Sequence, residues 1–227
     1  MSELLRIAID RENPPFTSLN DLTGEPAGFS VDLCRACLAE GGDEMEFVAA
    51  DGPLMQSIWL AAGHVDAVLD MTASLRRAQW FEFSAAYYVD ELAAFALRDG
   101  PLWPGLERVT APLAVKSNSY AEEWLRRRFP RQILLPVDDA ERLLAVVEAG
   151  RAAAFITSAA TGLELVREHG PERFRAVGPT FAPAGLTLAV GRGEQDTLLR
   201  QFNRGLAELR ADGRYDALLR ASALAHV

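Results

Sequence analysis

The sequence predicts an α/β protein made of two lobes of like construction, and three observations carry that prediction. Short apolar runs alternate with longer stretches of helical periodicity, the pattern of βαβ units and parallel sheet. The stretches DGPLMQSIWLAAGHVDAVL (51–69) and DDAERLLAVVEAGRAAAFI (138–156) follow one plan: an acidic start, an amphipathic helix, a glycine, then a buried strand. Gly63, Gly150 and Gly170 fall where helices should stop, because glycine accepts the left-handed conformation that closes a helix.

The elements follow in order. LLRIAID predicts a strand over 4–10 and GFSVDLCRACLAEGG a helix over 29–40, with Val31, Leu33, Cys34, Cys37 and Leu38 on one buried side. A strand is predicted at 45–50, a helix at 53–62, a strand at 65–71 and a short helix at 75–80. Strands at 92–98 and 112–116 precede a helix at 119–128; a strand at 132–137, a helix at 138–149, a strand at 152–157 and a helix at 158–168 follow. Two separate strands, 174–178 and 186–192, and helices at 194–210 and 213–223 complete the chain.

With 227 residues, 49% apolar and 24% charged, the chain has ordinary globular composition and length for two lobes of about 100 residues each. A net charge of −9 argues against nucleic acid or an anionic membrane as the main partner. No apolar run approaches the ~18 residues of a membrane span. The opening MSELLRIAID shows no basic n-region, apolar h-region or cleavage site, so the expectation is either a cytoplasmic chain as written or one from which a leader was removed and a new Met supplied. Cys34 and Cys37 form C-R-A-C, but no second cysteine pair or nearby histidine completes a metal set, and helical periodicity makes them core residues. His64, His169 and His226 are isolated, which leaves no metal site or triad, and no G-x-S-x-G, P-loop or G-x-G-x-x-G occurs. No cofactor is expected.

Ligands of open α/β sheets sit beyond the carboxyl ends of strands, near helix N-termini. Four loops occupy such places: the one after Asp10, DMTASLRR after the third strand, KSNSYAEEWL, and the one at Ser158. Ser117, Asn118 and Ser119 are placed to cap a helix. In MTASLRRAQWFEFSAAYY (71–88), Arg76 reads as a solvated charge, and Trp80, Phe81, Phe83, Tyr87 and Tyr88 read as core and inter-lobe packing.

These segments resemble the solute-binding proteins of ABC importers, specifically the polar amino-acid-binding family with the type II periplasmic, or Venus flytrap, fold. LRIAIDRENPPFTS resembles the family's opening strand, GEPAGFSVDLCRACLAE its first helix start, and GHVDAVLDMTASLRRAQWFEFSAAYY its G-x-[VL]-D motif ending in an arginine and F-S-x-P-Y-Y. LAVKSNSYAEEWL and the tail FNRGLAELRADGRYDALLR match two further motifs, and the five occur in family order. The resemblance implies two Rossmann-like lobes joined by a two-strand hinge, near residues 89–97 and 181–189. Residues 1–90 with 187–227 would form the first lobe and residues 91–186 the second, with a ligand cleft between them that closes on binding.

By the same resemblance Arg77 grips a ligand α-carboxylate, and its spacing from Phe83 and Ser84 selects it over Arg76. Met71 and Thr72 stand at the neighbouring motif positions, and Ser119 and Tyr120 match the helix start that binds the other carboxylate oxygen. Asp10 matches an acid that meets a ligand's polar side chain. The departures bear on specificity. Ser158 stands where the family has its amine-binding aspartate, and Asn13 and Gly52 stand where it has sandwiching aromatics. Asp70 replaces a small neutral residue, and the expectation is that it supplies the missing negative charge from the opposite lobe.

The expected function is non-catalytic binding of a small carboxylate-bearing solute, an amino acid or related organic acid, for delivery to ABC transporter membrane subunits. The expected protein is a periplasmic monomer with no nucleic-acid partner. Two alternatives stay open: a ligand-sensing ectodomain of a membrane receptor kinase or cyclase, and a prephenate dehydratase-like enzyme in which Glu122 or Asp70 would serve as the acid/base group.

Overall fold

Leu4–Asp10 forms the first strand, β1, because its branched residues alternate into the core: Ile7 and Ile9 are fully buried. The computed structural model describes residues 4–20, 22–42, 44–222 and 224. His226 and the last residue of the predicted helix 213–223 lie outside the described residues. Three very short strands, β2 (Glu12–Asn13), β3 (Thr17–Leu19) and β4 (Pro26–Ala27), form a small antiparallel sheet of their own. They were not foreseen, since two or three residues carry no readable alternation. Then come α1 (Phe29–Leu38), β5 (Glu44–Ala50), α2 (Gly52–Ala61), β6 (Ala67–Thr72), a 3-10 turn over Arg77–Gln79, and β7 (Phe81–Phe83).

The middle of the chain supplies β8 (Tyr88–Leu97), β9 (Leu113–Lys116), α3 (Tyr120–Arg128), β10 (Leu134–Val137), α4 (Ala140–Glu148), β11 (Ala154–Ser158) and α5 (Ala159–His169). The chain ends with the long strand β12 (Phe174–Gly191), α6 (Asp196–Ala211) and α7 (Arg214–Ala221).

Two compact units emerge: the chain up to Val89 together with the chain from Ala184 onward, and Asp90–Pro183. Their boundaries fall within β8 and β12. In the first unit β1 lies parallel between β5 and β6, and β12 runs antiparallel beside β6. In the second, β9 lies parallel between β10 and β11, and β8 runs antiparallel beside β11. Each unit therefore places the first strand of its parallel set in the middle and closes that set with one antiparallel strand. The internal similarity of 51–69 and 138–156 has its cause here: each stretch is the second helix and third parallel strand of its unit.

Each unit has its own core. Val68, Met71, Phe81 and Ala189 pack together in the first. In the second, Phe95 stacks on Phe155 at 5.0 Å between ring centroids, and Phe174 meets Phe155 edge-on at 6.0 Å. Gly162 lets α5 approach β8, since a Cβ there would stand 2.0 Å from the Phe95 ring. Val31, Leu33, Cys34, Cys37 and Leu38 are all buried on α1, as the periodicity predicts. Both cysteines are free thiols, and burial pushes Cys37 up to about 12 and Cys34 further still, so neither supplies a reactive thiolate.

Two sequence expectations are corrected. The helix at 75–80 shrinks to the 3-10 turn over Arg77–Gln79, and Trp80 is 66% exposed instead of serving the core. The predicted strands 174–178 and 186–192 are one strand of 18 residues. Pro179 and Pro183 lie at exposed positions of it, where an extended strand tolerates proline because no ladder N–H is required.

Candidate functional site

In the first unit the predicted residues gather at the carboxyl ends of β1 and β6. Asp10 ends β1, is 6% exposed, and accepts the Glu12 N–H on Oδ1 at 3.0 Å, which shapes the turn into β2. Met71 turns its side chain into the core, and its carbonyl accepts the Thr187 hydroxyl at 2.6 Å, so it acts as a packing residue. Thr72 is buried at the end of β6. Arg77 follows in the 3-10 turn, where its N–H donates to the Ser74 hydroxyl at 3.2 Å and its Nη1 donates to the Thr72 carbonyl at 3.0 Å. The guanidinium is thereby folded back over the end of β6 and is half-buried, whereas Arg76 is exposed.

Asp70 is the centre of a polar network within this unit. Its Oδ1 accepts from the Ser30 hydroxyl at 2.5 Å and the Tyr87 hydroxyl at 2.8 Å; its own N–H donates to the Tyr87 oxygen at 2.8 Å. Asn13 Nδ2 stands 3.5 Å from Oδ2. Burial pushes the Asp70 carboxyl up to about 6, against the Ser30, Tyr87 and Asn13 donors that pull it down. The backbone at Asp70 is left-handed, with φ of 59°, which turns the carboxylate toward α1 and Tyr87 and away from the strand's usual alternation. Tyr87 is fully buried, and its carbonyl accepts from the Tyr215 hydroxyl and from Arg210 at 3.2 Å.

In the second unit the predicted residues lie at the starts of α3 and α5. Ser119 caps α3 by accepting the Glu122 N–H at 3.2 Å, and the Glu122 carboxylate in turn accepts the Asn118 N–H at 2.7 Å. Asn118 adopts φ of 57°, a conformation asparagine tolerates. Tyr120 opens the helix and packs against the unit's core. Arg126 binds Glu122 Oε1 through two nitrogens, at 2.9 and 2.7 Å, so this acid serves helix and loop. Ser158 ends β11 and caps α5, accepting the Thr161 N–H at 3.1 Å.

The chain matches the model of the bacterial extracellular solute-binding proteins, family 3, over residues 5–221. It belongs to that family. It is 27% identical to the lysine/arginine/ornithine-binding periplasmic protein of Escherichia coli K12, over 96% of this chain and 86% of that one. It is 25% identical to the histidine-binding periplasmic protein of the same strain, over 94% and 85%. Among solved structures it is similar to a histidine kinase sensor domain with similarity to periplasmic binding proteins, with a TM-score of 0.90, 27% identity, and coverage of 98% and 96%. The fold is the two-lobed α/β architecture of periplasmic binding proteins of type II, and the family activity is solute binding.

One acid near these family positions escaped the sequence reading. Asp90, on β8, is 8% exposed, yet its Oδ2 has no hydrogen-bond partner among the described residues. The available signal was an acid set against the apolar run of YYVDELAAFAL, where a solvated charge is out of place.

Proposed function

We propose that this family member binds an amino acid or a related small carboxylate and releases it to an ABC importer, acting as a binding protein in the periplasm and not as an enzyme. The observation that carries this reading is Arg77, a guanidinium held by its own hydrogen bond at the end of β6, beside the buried Thr72. A permanently charged, preorientated fork suits a planar carboxylate, since little entropy remains to be lost on binding. The cap of α3 at Ser119 and Tyr120 is a helix N-terminus, whose partial positive charge also favours an anion. The relatives' names, which specify amino acids, support the same substrate class.

The test is a thermal-shift screen of amino acids, amines and organic acids, because a ligand bound only by the folded chain raises the melting temperature. Hits should carry a carboxylate, and Arg77→Ala should remove them. Hits confined to uncharged sugars or bare amines would overturn the reading.

The likeness to a kinase sensor domain favours a second reading, in which the same binding event feeds a receptor. A membrane segment and a kinase or cyclase domain in the full gene product would decide for it. The dehydratase-like reading loses support because both acids proposed for it are engaged, Glu122 by Arg126 and the Asn118 N–H, and Asp70 by Ser30 and Tyr87. Turnover of prephenate by the purified protein would restore it.

A further inference from the structure

At the amino ends of β9, β10 and β11 the second unit brings together the segments 98–112, 129–133 and 149–153. Hydrogen bonds hold them side by side. The Leu113 N–H donates to the Ile133 carbonyl at 2.9 Å, Gln132 Nε2 to the Ala111 carbonyl at 2.7 Å, and the Ala153 N–H to the Pro112 carbonyl at 2.9 Å. Ser119 and Ser158 belong to the other end of the unit, beyond β9 and at the close of β11. The amino pole carries two features that solute binding at those serines does not use. The first is charge. Arg108, Arg127, Arg128, Arg131 and Arg151 are exposed there, and none is bound to an acidic side chain among the described residues. The dipole of α3 accounts for basic residues in its last turn, but Arg108 and Arg131 lie outside any helix. Acids at the same pole, Asp99, Glu107, Glu148 and Glu172, are fewer, and Glu148 is taken up by Arg173. The second feature is apolar. Leu102 is 91% exposed and Ile133 59% exposed. Trp103 packs on the unit's core and lies over Gly178, where a Cβ would stand 3.1 Å from the indole nitrogen. The loop is thus anchored by Trp103 while Leu102 beside it projects into solvent, next to an apolar cavity of about 270 Å³ walled by Trp103, Val147 and Ala152.

We propose that this pole of the second unit docks on a bilayer surface carrying anionic phospholipid, with Leu102 and Ile133 entering the headgroup region and the arginines pairing with lipid phosphates. A projecting apolar tip ringed by cations is the arrangement that holds a protein at such a surface, because apolar burial and attraction to anionic lipid act together. Guanidinium suits phosphate through paired N–H groups. A protein partner would instead call for a recess shaped to it along the arginines, and their side chains stand exposed. The net charge of −9 does not oppose this local contact. Charges farther from the membrane than the Debye length, about 8 Å at physiological salt, are screened, and within the pole the arginines are in excess. Docking here leaves the serine end of the unit uncovered, so it is separate from solute binding.

The experiment is co-sedimentation of the purified chain with vesicles of phosphatidylglycerol and phosphatidylethanolamine, and with vesicles of phosphatidylcholine alone. At about 0.1 M salt the wild-type chain should partition onto the anionic vesicles about tenfold more strongly than onto phosphatidylcholine. Raising the salt to about 0.5 M, where the Debye length shrinks to ~4 Å, should abolish the difference. Arg127→Gln combined with Arg131→Gln should weaken anionic binding about tenfold. Leu102→Ser should weaken it about fivefold and leave the salt dependence in place. All three positions are exposed, so the variants should melt with the wild type, which separates lost docking from lost folding. Equal partition onto both kinds of vesicle, or variants that bind as the wild type does, overturns the proposal. So does an absence of sedimentation with the anionic vesicles, an outcome that would assign the arginines to an acidic protein segment instead.

Discussion

Asp70 and Asp90 are two sequestered acids with opposite surroundings. Asp70 receives hydroxyl donors from Ser30 and Tyr87 and gives its own N–H to Tyr87. Asp90 keeps one oxygen without a partner among the described residues. Burial raises both carboxyls above their ordinary range, but for different ends. At Asp70 a network that joins α1, β6 and Tyr87 offsets part of the cost of desolvation. At Asp90 the Ser158 hydroxyl and the Glu91 and Ala160 N–H groups oppose it, and burial still outweighs them. A satisfied acid fastens a fold, whereas an unsatisfied one lowers stability.

Four measurements would break or sharpen that contrast. The largest effect should come from Asp70→Ala, which strands the Ser30 and Tyr87 hydroxyls and places an alanine at positive φ; urea denaturation should show a loss of about 3 kcal/mol. Tyr87→Phe should cost about 2 kcal/mol in the same assay, since it orphans the Asp70 N–H and removes one donor from Oδ1. Ser158→Ala should cost about 1 kcal/mol through the lost α5 cap. Asp90→Asn should change ligand-free stability by no more than about 0.5 kcal/mol, or increase it. If it instead destabilises as much as Tyr87→Phe, Asp90 is a structural acid and the contrast fails.

The pH dependence of Asp70 adds a check with a definite sign. Its folded carboxyl titrates at about 6, above the ordinary value of 3.8, so the folded state holds the proton more tightly than the unfolded state. The associated stability is full below that ordinary value and is lost as pH rises toward 6. The melting temperature of the wild type relative to Asp70→Asn should therefore fall across that window and level off above it. A flat difference would mean that Asp70 ionises normally.

Much of the architecture was legible because it rests on local periodicity. The alternation in LLRIAID, the helical repeat of Val31, Leu33, Cys34, Cys37 and Leu38, and the glycines after the helices all act within a few residues. The expectations that failed depended on context. The segment 75–80 has helical residues, but the Arg77 bond to the Thr72 carbonyl accompanies a single tight turn there. The strands expected at 174–178 and 186–192 are one, joined through an exposed stretch that needs little pairing.

The sequence alone determined that the chain is α/β and that it repeats one βαβ plan. Each of these is encoded by residues close together along the chain. Only the tertiary structure decided what the acids do. Asp70 lies 40 residues from Ser30 and 17 from Tyr87, so its satisfaction is invisible until α1 and β8 are in place. Asp90 lies next to Ser158 only because β8 and β11 pair antiparallel in one register. Charge, burial and hydrogen bonding are properties of neighbours in space, and sequence distance does not record them.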